Sequence, residues 1–117
     1  MYDYNCFIAR WLDGDTVSLV VDLGFHVSLK INARVHGINA SELHAADGVE
    51  KIKGMAALEH ARRLAPEGTV VKVASSKTAD HEKFGRWLAV ITLANGKDFA
   101  AEMTGAGHAV AYFGGKR

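Results

Sequence analysis

The sequence predicts a β-rich α+β domain: a five-stranded barrel with one main helix between its third and fourth strands and a short second helix near the C-terminus. Three observations lead to this fold class. Apolar and polar residues alternate over several short segments, which is typical of strands with one buried face. One longer segment is rich in helix-forming residues and ends next to the only proline. At 117 residues, the chain has the length of one domain, which we place over residues 1–117.

The longest alternating pattern lies in residues 25–35 and predicts the third strand. Its apolar side is expected to face the core, which leaves Arg34 on the polar face of the strand. Weaker patterns predict four other strands, over residues 5–12, 17–23, 69–74 and 87–93. The apolar members of the long pattern are Phe25, Val27, Leu29, Ile31, Ala33 and Val35.

Two segments predict helices. Gly48–Leu64 is rich in Ala, Glu, Lys, Arg and Leu, and Pro66 follows it closely as a helix-ending residue. Residues 99–104 predict a short second helix that ends at Gly105. Five short strands with one helix between the third and the fourth match the oligonucleotide/oligosaccharide-binding (OB) fold.

Composition limits the functional classes. The net charge of +1 is balanced between 14 basic and 13 acidic residues, so any contact with a nucleic acid is expected to be local. Cys6 is the only cysteine, which excludes an intrachain disulfide and favours a reducing compartment. Because neither an export signal nor a membrane-spanning apolar run is visible, we expect a cytoplasmic protein without a membrane partner. We also expect a monomer with no obligate protein partner.

The first motif of chemical interest is Asp13-Gly14-Asp15-Thr16, between the first two predicted strands. Two carboxylates on a tight loop suit an oxygen-binding cation such as calcium. An Asp-Gly pair is, however, also an ordinary turn sequence, and this alternative stays open for the motif alone.

The second motif combines Arg34 with Glu42, which the topology brings to the same rim of the barrel. An arginine fork can hold two phosphate oxygens, and a glutamate can orient or deprotonate a water molecule. On this interpretation Arg34→Ala abolishes activity while the fold survives. The alternative is an ion pair on a solvated edge, with little energetic consequence.

The third motif is a basic turn immediately before the fifth predicted strand. Lys83, Phe84 and Arg86 place two cations beside an aromatic ring. Such a turn can bind a terminal phosphate while a base stacks on the ring. Taken alone, the segment can equally be an ordinary solvated loop.

In this order and spacing, the three motifs resemble the staphylococcal nuclease (thermonuclease) family. The resemblance extends to Phe113 and includes residues 48–51 and 107–112. It implies a calcium-dependent, sugar-nonspecific endonuclease that hydrolyses DNA and RNA to leave 3′-phosphates, with single-stranded DNA or RNA as substrate.

The resemblance also implies a role for individual residues. Glu42 corresponds to the general base or water-orienting group, and Arg34 and Arg86 correspond to the two phosphate clamps. The implied catalytic residues are Arg34, Glu42 and Arg86, the implied metal-site residues are Asp15, Asn39 and Ala40, and the implied substrate-binding residues are Lys83, Phe84 and Tyr112.

The sequence departs from the family pattern at three of these positions. Asn39 stands where the family usually has a second acidic calcium ligand, Ala40 lacks a hydroxyl often found there, and Phe84 replaces a tyrosine. Because calcium affinity depends on ligand charge, we expect weakened metal binding. An alternative function is therefore a nucleic-acid-binding module of the same fold with weakened or lost catalysis. A fold used only for protein contacts is the third possibility.

Overall fold

The computed structural model describes residues 2–41, 47–75 and 87–112. Within them, five strands form a closed barrel in the order β1-β2-β3-β6-β5, and two further short strands form a separate sheet, β4-β7. All strand pairs are antiparallel except β3–β6, which is parallel. The β-rich fold with a closed five-stranded barrel and two helices is thus confirmed. In chain order the elements are β1 (Tyr2–Asp13), β2 (Thr16–Asp22), β3 (Ser28–Val35), β4 (Ile38–Ala40), α1 (Gly48–Leu64), β5 (Val70–Ser75), β6 (Trp87–Thr92), α2 (Phe99–Gly105) and β7 (Ala109–Ala111).

The barrel core is built by inward-facing residues of the strands and is closed by the helices. Val17 and Leu19 of β2 are completely buried, as their alternation predicts. Trp11 of β1 donates its indole N–H to the carbonyl of Ala65 at 2.8 Å, and its ring stacks on Phe99 with centroids 4.7 Å apart. One side chain thereby connects the barrel to the end of α1 and to the start of α2.

Helix α1 begins at Asp47, whose carboxylate accepts a hydrogen bond from the Val49 N–H at 3.0 Å. Such a cap satisfies one of the N–H groups that have no partner within the helix. Small residues and one leucine form its buried stripe: Gly54, Ala57, Leu58 and Ala61. None of the helices in the described part of the chain is long and apolar enough to cross a membrane.

The turn of the β2–β3 hairpin begins earlier and ends later than the sequence predicts. The predicted strand over residues 25–35 begins only at Ser28. Phe25 and His26 have φ angles of 54° and 61°, and the Val27 N–H donates to the Gly24 carbonyl at 2.8 Å. Positive φ at both central residues is the geometry of a type I′ turn. The alternation therefore continues through residues that form the turn.

The predicted inward packing of the first half of this strand is also wrong. Phe25 is 99% exposed, and Val27 and Leu29 are about half exposed. The reason is that β3 pairs with β6 only over residues 33–35 among the described residues, so the hairpin continues beyond the covered part of the barrel. Alternation alone does not reveal where a strand leaves the core.

The small β4–β7 sheet brings the chain that follows β3 next to the C-terminal strand. Asn39 lies opposite Val110, and the Tyr112 N–H donates to the Gly37 carbonyl at 2.8 Å. Residues 38–40 and Tyr112 are thereby fixed beside the end of β3.

Candidate functional site

The loop between β1 and β2 is packed into the molecule. Gly14 is buried, and a Cβ atom at this position would lie 2.9 Å from the Ala57 side chain and 3.2 Å from that of Ala40. The backbone carbonyl of Asp15 accepts a hydrogen bond from the Val35 N–H at 2.8 Å. The glycine thus permits close packing against α1 and β4, and this packing fixes the backbone of Asp15.

The Asp15 side chain is buried and fully hydrogen-bonded. Its Oδ2 atom accepts from the Ala40 backbone N–H at 2.8 Å and lies 3.0 Å from Arg34 Nη1. Its Oδ1 atom accepts from the Thr16 hydroxyl at 3.0 Å. Such partners are required to keep a carboxylate in an interior where water cannot solvate it.

The Arg34 guanidinium lies between Asp15 and Asn39, two of the three predicted metal-site residues. One of its nitrogens, Nη1, faces Asp15, while Nη2 donates to the Ile38 carbonyl at 3.0 Å and to Asn39 Oδ1 at 3.2 Å. Arg34 is only 7% exposed. The alternative of a solvated surface ion pair is therefore wrong for this arginine, whose partner in the described structure is Asp15.

An aromatic ring completes the arrangement. The Arg34 Cζ atom lies 5.6 Å from the centroid of the Tyr112 ring, within the range of a cation–π contact. The pairing of β7 with β4 holds Tyr112 in this place. Five of the sequence-predicted site residues are thus brought together, and we call them the Arg34 cluster: Asp15, Arg34, Asn39, Ala40 and Tyr112.

The other four predicted site residues lie outside the described residues. Their implied roles in catalysis or substrate binding remain predictions. They are Glu42, Lys83, Phe84 and Arg86.

Sequence reasoning assigned no role to two groups that stabilise the cluster. Thr16 holds Asp15 through its hydroxyl, and Ile38 accepts from Arg34 through its backbone carbonyl. Thr16 could have been found as the last residue of the Asp13–Thr16 motif. Ile38 has no such signature, because a backbone carbonyl is present at every position.

The oxygen atoms of the cluster fit a hard cation in type but carry little charge. Calcium binds carboxylate, amide and backbone oxygens, and Asp15 and Asn39 supply the first two kinds. Both groups already contact Arg34, Asp15 through an ion pair and Asn39 as a hydrogen-bond acceptor. Among the residues that the structure describes, no three His, Cys, Asp or Glu side chains converge. A cation held here would therefore depend mainly on one carboxylate.

Within the described residues, Arg34 keeps donor capacity that its neighbours do not use. A guanidinium has five N–H donors; Nη2 donates to Ile38 and Asn39, while Nη1 forms an ion pair with Asp15. The N–H groups that make no hydrogen bond to the described residues can bind an anion that reaches this buried position. Because the guanidinium is held on several sides, it would stabilise such an anion with little loss of side-chain entropy.

An open cavity of about 710 Å³ adjoins the cluster. Asn39 and Ala40 line one side of it, α1 contributes Glu50 and Lys53, and His108 lies on the side of β7. A ligand in the space between α1 and the β4–β7 sheet would therefore meet the cluster at Asn39 and Ala40, whereas Asp15, Arg34 and Tyr112 do not line the cavity.

Comparison with known proteins gives no family assignment. No model of a protein family matches the chain, and no curated protein matches it significantly. Function must therefore be inferred from the residues and from their geometry.

Proposed function

We propose that this protein is a metal-dependent nuclease of the OB fold that hydrolyses phosphodiester bonds in single-stranded DNA and RNA. The observation that carries the proposal is the position of Arg34, which is buried between Asp15 and Asn39 and lies beside Tyr112. A fixed guanidinium next to an acidic residue suits a phosphate ester that gains negative charge during its hydrolysis.

The fold supports this proposal. The barrel order β1-β2-β3-β6-β5, with β3 and β6 parallel and the other pairs antiparallel, is consistent with an OB barrel. The Arg34 cluster lies where the β1–β2 loop meets the end of β3. Loops at one end of an OB barrel commonly bind oligonucleotides.

Arg34 would bind the scissile phosphate through the guanidinium N–H groups that make no hydrogen bond to the described residues. Asp15 keeps the guanidinium oriented, and Tyr112 covers its face.

Asp15 and Asn39 would hold calcium through their oxygen atoms. A bound divalent cation would neutralise part of the negative charge on the phosphate oxygens. The Ala40 N–H and the Thr16 hydroxyl orient the Asp15 carboxylate for that role. Glu42 would position the attacking water, and Arg86, Lys83 and Phe84 would bind the substrate, as the family resemblance implies.

The direct test is cleavage of an end-labelled single-stranded oligonucleotide with calcium and with a chelator. The wild-type protein is expected to cleave only with calcium and to leave 3′-phosphate ends. The Glu42→Gln variant should cleave more slowly by about a hundredfold or more, because glutamine keeps the shape of glutamate but cannot act as a base. Glu59→Gln removes an exposed carboxylate on α1 and serves as the matched control.

Two results would contradict the proposal. One is cleavage that continues at the same rate in the chelator. The other is equal calcium-dependent rates for Glu42→Gln and Glu59→Gln, which would show that the activity does not depend on Glu42.

A second function is favoured by a specific observation. Arg34 contacts two of the three predicted metal-site residues: it forms an ion pair with Asp15 and donates to Asn39, which is uncharged. This arrangement favours a module that binds nucleic acid through Arg34 but cleaves it poorly. Binding of the oligonucleotide in the chelator without any cleavage in calcium would identify this function.

A further inference from the structure

A second cleft lies on the outer face of β1, β2 and β3. Arg10 is the cross-strand partner of Ser18, and Ser18 is the partner of Asn32, so these residues form a row across three strands. Lys30 lies two residues from Asn32 and therefore points to the same side of β3. The cleft encloses about 450 Å³ and is lined by Arg10, Leu12, Ser18, Lys30, Ile31 and Asn32.

The charged residues that the structure describes in this cleft are both basic. Arg10 and Lys30 are exposed and, among the described residues, form no ion pair. The described part of the lining contains no acidic side chain. Two unpaired cations at the walls of a concave surface create a positive potential that attracts an anion.

Ser18 gives independent evidence that a ligand belongs here. The residue is only 5% exposed, and its hydroxyl has no hydrogen-bond partner within the described structure. Buried hydroxyl groups nearly always have such a partner. An acceptor oxygen bound in the cleft would provide it, and the Asn32 amide could donate to the same ligand.

We propose that this cleft binds a phosphate group of a single-stranded polynucleotide, adjacent to the one bound by the Arg34 cluster. The inference rests on the proposed function and extends it to a second contact with the substrate. Arg34, Asn32 and Lys30 lie at alternate positions on one face of β3, each separated by roughly 6.7 Å. The strand therefore forms a polar track that leads from the Arg34 cluster to the cleft.

The test measures binding of a labelled single-stranded oligonucleotide of about 12 nucleotides, a length within the range that one OB fold binds. A chelator prevents cleavage during the measurement. The double variant Arg10→Gln/Lys30→Gln should bind at least tenfold more weakly at low salt. The slope of log K against log salt should also become shallower by about 0.7, the contribution of one phosphate contact on a single strand.

Two control variants separate a specific site from a general effect of charge. Lys51→Gln/Arg63→Gln removes one lysine and one arginine from exposed positions on α1, and it should retain both the affinity and the slope. Arg10→Lys/Lys30→Arg preserves the charges of the cleft and should bind almost as well as the wild type. Ser18→Ala should weaken binding several-fold, because it removes the hydroxyl donor. Equal affinities and slopes for the two charge-removing variants would overturn the proposal.

A second arm uses inorganic phosphate, which shares the chemistry of the ligand. If the cleft variants lose affinity for inorganic phosphate but bind the oligonucleotide normally, the ligand is a free anion and the polynucleotide assignment is wrong. A wild-type protein that does not bind the oligonucleotide at all would also overturn it.

Failure of the cleft and failure of the nuclease proposal give different results. If the wild type cleaves with calcium while the cleft variants bind normally, only the cleft proposal fails. If binding depends on Arg10 and Lys30 but calcium produces no cleavage, only the nuclease proposal fails.

Discussion

Two oppositely charged side chains, Asp15 and Arg34, are almost completely buried in this small protein and form an ion pair with each other. Their side chains are 7% and 8% exposed, and the closest atoms are 3.0 Å apart. Removal of one charge from such a pair leaves the other uncompensated in a poorly solvated place. Loss of activity in an Arg34 variant would therefore report partly on loss of structure, contrary to the sequence-based expectation that Arg34→Ala leaves the fold intact.

We predict that Arg34→Met decreases the free energy of unfolding by about 3–5 kcal/mol. The double variant Asp15→Asn/Arg34→Met should cost less than the sum of the two single changes, because it leaves no buried charge. Denaturant unfolding of the four proteins measures the coupling. Strictly additive effects would show that the two residues do not stabilise each other.

The sequence predicts which residues belong to the candidate site better than it predicts what surrounds them. Asp15 and Arg34 were found because their charges stand in recognisable motifs. The burial of Arg34 could not be predicted, since a period of two gives only the side of the strand on which a residue lies. One group that packs against Arg34 is the Tyr112 ring, which is distant in sequence and is brought there by the β4–β7 pairing.

Among the individual elements, the β2–β3 hairpin contains a conformation that its sequence does not favour. Phe25 and His26 occupy the central positions of a turn with positive φ, where Asn and Gly are preferred. Phe25 is 99% exposed, so it gains little packing in return.

We predict that Phe25→Asn/His26→Gly increases the free energy of unfolding by about 1 kcal/mol, because a left-handed backbone conformation is unfavourable for residues with a large side chain. Urea denaturation provides the measurement, and Val27→Thr, outside the two central positions, serves as the control. A decrease in stability of the turn variant would indicate that the exposed Phe25 ring makes stabilising contacts.

Secondary-structure elements could be predicted where residues close in sequence determine them. Helix α1 occupies the predicted residues, Gly48–Leu64, because an aspartate cap precedes them and Pro66 follows them. Strands β4 and β7 were not predicted, since each has only three residues and no alternating pattern can be recognised at that length. Their formation depends on tertiary pairing.

At the scale of the whole molecule, two histidines join parts of the chain that are distant in sequence. His60 of α1 stacks on His108, which precedes β7, with ring centroids 4.7 Å apart. The pKa of His60 is lowered from 6.5, first by burial and then by the neighbouring His108 and Arg63, while Glu102 acts in the opposite direction.

This lowered pKa predicts that stability decreases in mild acid. Below pH 6.5 the unfolded chain takes up the His60 proton before the folded chain does, so the free energy of unfolding decreases as the pH falls from 6.5 towards the lowered pKa. The urea midpoint of the wild type should be lower at about pH 5.5 than at about pH 7.5. In the His60→Gln variant this difference should be smaller. An unchanged difference in the variant would exclude His60 as its source.

Because positive and negative charges are nearly balanced in the molecule, the Arg34 cluster would have to bind the proposed ligands through a few local contacts. A cation held by Asp15 and Asn39 would feel one formal negative charge from these two ligands, and an added carboxylate would strengthen that attraction. Asn39→Asp is therefore expected to improve calcium binding, although Arg34 would compete for the new carboxylate through the contact that it now makes with Asn39.

The most direct measurement of the central claim is a calcium titration of oligonucleotide cleavage by the wild-type protein and by Asn39→Asp. The account predicts calcium-dependent cleavage in both proteins, half-saturation at a lower calcium concentration in the variant, and a smaller difference in rate when calcium is saturating. Absence of calcium-dependent cleavage in both proteins, or half-saturation at an equal or higher calcium concentration in Asn39→Asp, would contradict the assignment of this cluster as a metal-assisted phosphodiesterase site.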